Sequence, residues 1–408
     1  MNSVKNFLSE AADSGKNLHL THVDEDLFER GDTGARAAIE SCRNIVGGLG
    51  TGETQLTLKW DGAPAIFAGV DPADGQFFVS TKGVFNKTPL TYKGPQDKSK
   101  FATGAKLAIA HKEFQKLNIP TGVVIQGDLL FTKGEQKYET IDGKRFITVH
   151  PNTIVYAWDV ESEAGKNIRN ADIGVVWHTT YSGRNDLQKY KARFGVNVKK
   201  LKATRSVFMD DAYFKGANVA FTDTEKTDVE SLLAQAQNLI GGFDKLKAIM
   251  DMIPSTAVGA GIKTYINSNI RKGKLPMAQK NPVKDYIEYV DTYYQDKVVS
   301  KVKTDAAKET KMAAKSQLRS ELGKNADILK KAFQFVDYIT QAKVLIIKKL
   351  VSLDKQKQFI KTSKGFKVTN PEGFVAINSK KGEAVKFVDR LEFSYNNFSD
   401  DVMKGWQK

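Results

Sequence analysis

Cys42 is the sole cysteine among 408 residues. That excludes an intramolecular disulfide and a thiolate-held metal cluster, and it fits a reducing cytoplasm, where a lone cysteine is usually a small core residue. Long apolar runs are also missing: none approaches the length needed to cross a bilayer, so no membrane span is expected. The first residues, Met1-Asn2-Ser3-Val4-Lys5, lack the apolar segment of a signal peptide, and secretion is not expected either. Negative charge is in short supply. Against 62 Lys and Arg stand 47 Asp and Glu, giving a formal net charge of +15 and a pI near 9.4. This balance points to a polyanionic partner, nucleic acid first and an anionic membrane surface second, although solvated lysines alone would produce the same figure. What is present, 41% hydrophobic and 27% charged residues, describes a soluble globular chain long enough for two or three domains.

Periodicity divides the chain. Residues 4–12 and 33–46 carry helical apolar spacing, and the glycine cluster at 47–52 stops the second segment. This cluster has no Lys-Ser/Thr pair in Walker register and precedes a strand, so it reads as a connector rather than a phosphate loop. Short strands follow at 55–60, 65–70, 76–80, 122–131, 153–160 and 173–179, with Asp71-Pro72 and Asp74-Gly75 marking a hairpin turn and a helix at 103–117. Residues 224–350 read as helical, clearest at 229–240, 243–252, 283–299 and 325–350, and the Lys- and Ala-rich 301–315 reads as an exposed helix. Strand character returns at 358–395. The pattern predicts an α+β fold, mostly antiparallel: either one β-rich domain with a helical insertion or two β domains.

One constellation carries chemistry. Lys59-Trp60-Asp61-Gly62 ends a strand in which Leu56 and Leu58 share one face and Lys59 and Asp61 the other. A lysine attacks phosphorus only if its pKa is lowered, and a half-buried strand position supplies desolvation. Gly62 lets the backbone approach a ligand closely. Lys82 offers a cation for a phosphate, Asp128 a carboxylate for a ribose hydroxyl or a metal-bound water, and Tyr156 and Trp158 an aromatic surface for a purine. Glu372 and Lys386, on a hairpin after the helical block, suit a Mg-triphosphate, the acid holding the metal and the lysine the α-phosphate. Each has a plainer reading: Lys82 solvated, Asp128 capping a turn, Trp158 in the core, Glu372 in a surface ion pair.

In this order the residues resemble the covalent nucleotidyltransferase superfamily of ATP-dependent RNA and DNA ligases and mRNA capping enzymes, over residues 54–180 and 365–395. Lys59-Trp60-Asp61-Gly62, Glu372-Gly373-Phe374-Val375 and Val385-Lys386-Phe387-Val388 carry the likeness. The chain also looks like ligase-like proteins of tailed bacteriophages, through His19-Leu20-Thr21-His22-Val23-Asp24-Glu25-Asp26 and Lys59 to Pro64. The resemblance implies that Lys59 becomes adenylylated, that Asp61, Gly62, Lys82, Asp128, Trp158, Glu372 and Lys386 bind the nucleotide, and that Asp128 and Glu372 serve Mg²⁺ or Mn²⁺. It implies an antiparallel-sheet adenylation domain in two parts, 54–222 and 356–408, interrupted by a helical insertion at 223–355 and preceded by a helical extension at 1–53.

Departures qualify the likeness. Asp128 stands where the family usually has Glu, and Ala384 where it has a second lysine, a role open to Lys380 or Lys381. The helical block is unusual for the family. The short segment after Lys386 leaves no room for an appended OB-fold, favouring an RNA-ligase-like member. An alternative fourth motif at 172–178 places Ile173 where the carboxylate belongs. His19 and His22 share a helical spacing but have no further ligands, so capping or solvation is their simpler reading. Arg271, Lys272 and Lys274, with Lys280 and Lys284 and interleaved by Tyr265, Tyr286 and Tyr289, form a candidate polynucleotide surface or a solvated face. The expectation is a monomeric, cytoplasmic, ATP-dependent ligase that joins 5′-phosphate to 3′-hydroxyl ends, with RNA ahead of DNA. An inert nucleic-acid-binding relative and a nucleotidyltransferase with a non-polynucleotide acceptor are the alternatives.

Overall fold

Strands from both sides of the helical block pair with one another in a computed structural model that describes residues 20–47, 54–214, 220–354, 356–378 and 383–407. The expected helix at 4–12, His19, most of the glycine cluster, Lys380 and Lys381 lie outside the described residues. In chain order the strands are β1 (Thr54–Lys59), β2 (Ala65–Val70), β3 (Phe77–Ser80), β4 (Val123–Thr132), β5 (Lys137–Ile141), β6 (Lys144–Val149), β7 (Ile154–Asp159), β8 (Ile173–Ser182), β9 (Lys191–Phe194), β10 (Val207–Asp211), β11 (Lys357–Thr362), β12 (Gly365–Val368), β13 (Gly373–Asn378) and β14 (Glu383–Phe387). The α-helices are α1 (Asp26–Val46), α2 (Gly104–Phe114), α3 (Glu163–Asn170), α4 (Asp223–Gln237), α5 (Phe243–Asp251), α6 (Ile262–Ile270), α7 (Pro282–Lys297), α8 (Asp305–Lys324), α9 (Ala326–Leu353) and α10 (Arg390–Phe398). The fold is mixed, about 49% helix and 23% strand, with largely antiparallel sheets.

The first sheet has the order β1-β13-β14 and the third β12-β11-β7-β6-β5, both antiparallel throughout. Each therefore joins strands from before and after residues 223–353. The second sheet runs β10-β8-β4-β2-β3, with β9 also on β8 and one parallel pair, β8 with β10. Residues 212–214 stitch the first two sheets together: Leu58 N–H donates to Ala212 O at 2.7 Å and Ala212 N–H to Trp177 O at 3.0 Å. Leu56 and Leu58 of β1 face the main core with Phe374, Ala376, Val385 and Phe387, leaving Lys59 on the opposite face.

α1 does not stand apart as an extension. Its buried stripe, Leu27, Ala35, Ala38, Ile39, Cys42 and Ile45, packs on α4, α5 and α9, because an amphipathic helix needs a partner for its apolar face. Within it Gly31 takes φ 60°, and a side chain there would strike Asp244. The adjoining Asp32 caps α5, accepting from Phe243 N–H at 3.0 Å, and its own N–H donates to Asp244 at 3.0 Å. α4 begins with a capping box between Thr222 and Glu225. α8 is polar almost all round, burying only Leu318 and Leu322.

Strand character ends before 395: residues 390–398 form α10, with Asp389 as its N-cap accepting from Glu392 N–H. Asp followed three residues on by Glu is a helix start, and it outweighs the local apolar content. The β5-β6 hairpin is an addition to the expected strands, turning at Asp142 and Gly143, both at positive φ.

Candidate active site

Lys59 is the last residue of β1 and lies opposite Gly373 in β13. That register brings the preceding Glu372 to the lysine, and the two form an ion pair with side chains 30% and 11% exposed. The strand continues across the sheet to Lys386, which faces Val375 from β14 on the same side as Lys59. Lys59 and, some 300 residues later in the chain, Glu372 and Lys386 thus share one end of one small sheet.

The second sheet supplies the opposite wall through Asp128. Its strand, β4, is bulged against β8: Gln126 pairs with Thr179 but Gly127 with Trp177, leaving His178 as the extra residue. Gly127 permits this, since a Cβ there would lie 2.4 Å from Val176 O. The bulge brings His178 Nε2 to 3.8 Å from Asp128 Oδ2, while Nδ1 meets the Thr179 hydroxyl at 2.8 Å. His178 is a site residue that the sequence pattern does not mark, although it lies within the alternative fourth motif at 172–178. Its signal, one extra residue in a strand pair, is invisible without the register.

A Cβ on Gly62 would sit 2.6 Å from Asp128 Cβ. Close passage of the 59–62 turn over Asp128 requires a glycine there. Asp61 has a different position from the expected one. Its carboxylate accepts from Asn152 Nδ2 at 2.6 Å, Thr153 N–H at 2.7 Å and Ile154 N–H at 2.9 Å, and its own N–H donates to the Tyr156 hydroxyl at 2.6 Å. It is a strut that fastens the turn after Lys59 to the start of β7. Tyr156, rather than Trp158, reaches the site, with its ring 4.6 Å from that of Trp60. Trp158 is half-buried among aromatic core residues, 6.3 Å from Tyr156 and edge-on to Phe208 at 5.9 Å. Lys82 is exposed at the start of a short 3-10 turn after β3, and its charge acts on Asp128.

Electrostatics follow from packing these groups together. Burial pushes Glu372 up to about 7, against the pull of Lys59. Burial likewise pushes Asp128 up to about 7, again offset in part by Lys59. Burial draws the Lys59 ammonium down, but Glu372, with Asp128 and Asp61, outweighs it and leaves the lysine above its ordinary value. This reverses the expectation of a lowered lysine, because the carboxylates outnumber the cations at Nζ. Lys386 is the lysine held low, by burial and then by repulsion from Lys59. Burial, then Lys59, brings His178 down to about 4, so its ring is neutral at pH 7.

A buried ion network backs Lys386. Lys386 N–H donates to Thr21 O at 3.0 Å, and His22 lies beside it in a single parallel bridge. The His22 side chain caps no helix: burial holds its ring well below its ordinary pKa, and among the described residues its buried Nδ1 has no hydrogen-bond partner. The following residues engage the helices: Asp24 Oδ1 meets Lys343 Nζ at 2.8 Å, and Glu25 Oε1 meets Arg390 at 2.5 Å. Arg390 also bonds Asn267 of α6.

Of the basic patch, Arg271, Lys272 and Lys274 are exposed at the end of α6. The tyrosines expected between them are not on that surface: Tyr265 and Tyr286 are core residues and Tyr289 is half-buried. Among the described residues no group of three or more His, Cys, Asp or Glu side chains forms a protein-only metal cage, and no helix is long and apolar enough to cross a membrane.

No curated protein and no solved structure matches the chain. One family model matches residues 17–402, so the chain belongs to the family of unknown function DUF6267.

Proposed function

We propose that this chain is an ATP-dependent polynucleotide ligase, RNA ahead of DNA, working through a lysyl-AMP at Lys59. The observation that carries the reading is the convergence on the Lys59 amine of Asp128 and Lys386, from strands in two sheets, and of Glu372, the residue just before β13. In the first step the Lys59 amine bonds to the α-phosphorus of ATP as the bond to pyrophosphate breaks. The ammonium must first lose a proton, and Glu372, in contact with it and titrating near 7, is the group that takes it. AMP then passes to a 5′-phosphate, and a 3′-hydroxyl displaces it to form the phosphodiester. Lys386, its pKa drawn down by burial and by Lys59, suits the α-phosphate charge, and Lys82 the more exposed phosphates.

Mg²⁺ or Mn²⁺ fits this donor set. Such ions commonly take one or two carboxylates and complete their shell with phosphate and water. Asp128 is the carboxylate that would hold one while Glu372 serves as proton acceptor, and a bound ion would supply charge neutralisation on the phosphates. Incubation with each NTP and Mg²⁺, followed by intact-mass measurement, tests the reading: a gain of one nucleoside monophosphate from ATP is expected.

One observation favours a second reading. Lys59 is an ion-paired ammonium above its ordinary pKa, as expected of a nucleic-acid-binding relative that keeps the shell without the chemistry. Salt-sensitive polynucleotide binding without any adduct would support that reading. An adduct that never reaches a polynucleotide would point instead to another acceptor.

A further inference from the structure

The surface of α10 carries two exposed aromatic residues that the core does not use. Tyr395 and Phe398 are 59% and 54% exposed and lie three residues apart, on one side of the helix. The opposite side is spoken for: Phe393 packs on the core, and Asn397 Oδ1 accepts from the Thr153 hydroxyl at 3.0 Å. Beside the exposed pair comes the end of α6. Arg271, the C-cap of α6, lies over the Phe398 ring, 4.7 Å from its centroid, and Lys272 and Lys274 are exposed next to it on either side of Gly273, which has φ +72°.

α10 starts four residues after Lys386, and the bond from Arg390 to Asn267 fixes its beginning to α6. This helix, about 13 Å long, thus follows in the chain directly after the strand that carries Lys386, and Lys263 of α6 is near enough for its charge to act on Lys386. Exposed aromatic rings beside exposed cations are the combination that receives a single strand: bases stack on the Tyr395 ring and on the free face of Phe398, whose other face Arg271 covers, while phosphates meet the cations. In a duplex the base faces are already covered, so the rings would have nothing to take.

We infer that Tyr395 and Phe398, with Arg271, Lys272 and Lys274, form a track for a single-stranded polynucleotide running away from the Lys59 site. The inference rests on the ligase reading for its class of partner and adds the strandedness and the stacking residues. It replaces the buried Tyr265 and Tyr286 as the aromatic component.

The test is fluorescence anisotropy of the full chain without ATP or Mg²⁺, against a short single-stranded oligoribonucleotide, its duplex, and an abasic strand of equal length. Because no nucleotide is present, a missing lysyl adduct would overturn the ligase reading without changing this result. The single strand should bind more tightly than the duplex. The pair Tyr395→Ala with Phe398→Ala, and equally Tyr395→Leu with Phe398→Leu, should weaken single-strand binding about tenfold. Neither pair should alter binding of the abasic strand. Replacing Arg271, Lys272 and Lys274 by Ala should weaken every ligand and lower the salt slope by about 2. The leucine pair keeps the apolar area and removes only the π faces, so wild-type binding by that pair would overturn the track. So would equal binding of the duplex, or equal loss of the abasic strand in the aromatic variants.

Discussion

Glu372 grips Lys59 across an antiparallel ladder in which the lysine's direct partner is Gly373. The register, rather than any local sequence around either residue, makes the pair. It sets a proton acceptor titrating near 7 against an ammonium that must be deprotonated before it can attack. Glu372→Gln should therefore slow formation of the lysyl adduct on the order of 10²-fold, measured as label transfer from α-labelled ATP. Retention of the wild-type rate would take the acceptor role from Glu372.

The same carboxyl gives adduct formation and stability opposite pH dependences. Adduct formation should rise with pH through about 7, as Glu372 ionises and can take the lysine's proton. The folded values of Glu372 and Asp128 lie above the ordinary 4.5 and 3.8, so between those values and about 7 the folded state binds more protons than the unfolded one. Their contribution to stability is complete below that window and is lost as pH rises through it. Urea midpoints measured across the window should fall from these two groups, and Glu372→Gln should flatten the fall.

Asp61, which the resemblance assigns to the nucleotide, accepts three hydrogen bonds that make it a strut. Asp61→Ala leaves the Thr153 and Ile154 N–H groups buried without an acceptor, each costing about 1–3 kcal/mol. A loss of about 2–5 kcal/mol in urea unfolding is expected on that basis. Lys59→Ala should cost much less, because Glu372 can take up a proton near neutrality and need not remain an unpaired buried charge.

Arg390 ties Glu25, Asp24 and Asn267 together with a side chain 6% exposed. Removing one partner from a buried ion network typically costs about 3–5 kcal/mol, so Arg390→Ala should lower the denaturant midpoint substantially. Arg390→Met together with Glu25→Met should recover part of the loss, because no uncompensated charge remains.

Gly62→Ala should be damaging out of proportion to its size. The added carbon would stand 2.6 Å from Asp128 Cβ, so either the turn after Lys59 or β4 must move. Overpacking of this kind costs about 1–3 kcal/mol, and adduct formation should fall with it because Asp128 and Lys59 separate. Wild-type stability and rate in this variant would show that the close approach is dispensable.

Much of the site was legible because its residues sit on strands with strong local patterns. Alternation alone put Lys59 opposite Leu56 and Leu58, and the glycines marked close contacts. What remained hidden depends on pairings between distant segments. His178 is visible only through the bulge against Gly127, Asp61 as a strut only through the arrival of Asn152, and the Thr21 contact with Lys386 only through the fold of the first described residues. The buried state of Tyr265 and Tyr286 was likewise set by α9 packing over them, which helical spacing in their own segments does not reveal. Two local signals were present and unused: Asp142-Gly143 as a hairpin turn and Asp389 with Glu392 as a helix start.

Peptide mapping of the chain after incubation with ATP and Mg²⁺ asks whether the amine held by Glu372 becomes covalently charged. One AMP on the peptide containing Lys59, absent from Lys59→Ala, is the expected outcome. An unmodified Lys59 under conditions where the intact chain binds ATP, or AMP found on another lysine, would contradict the assignment.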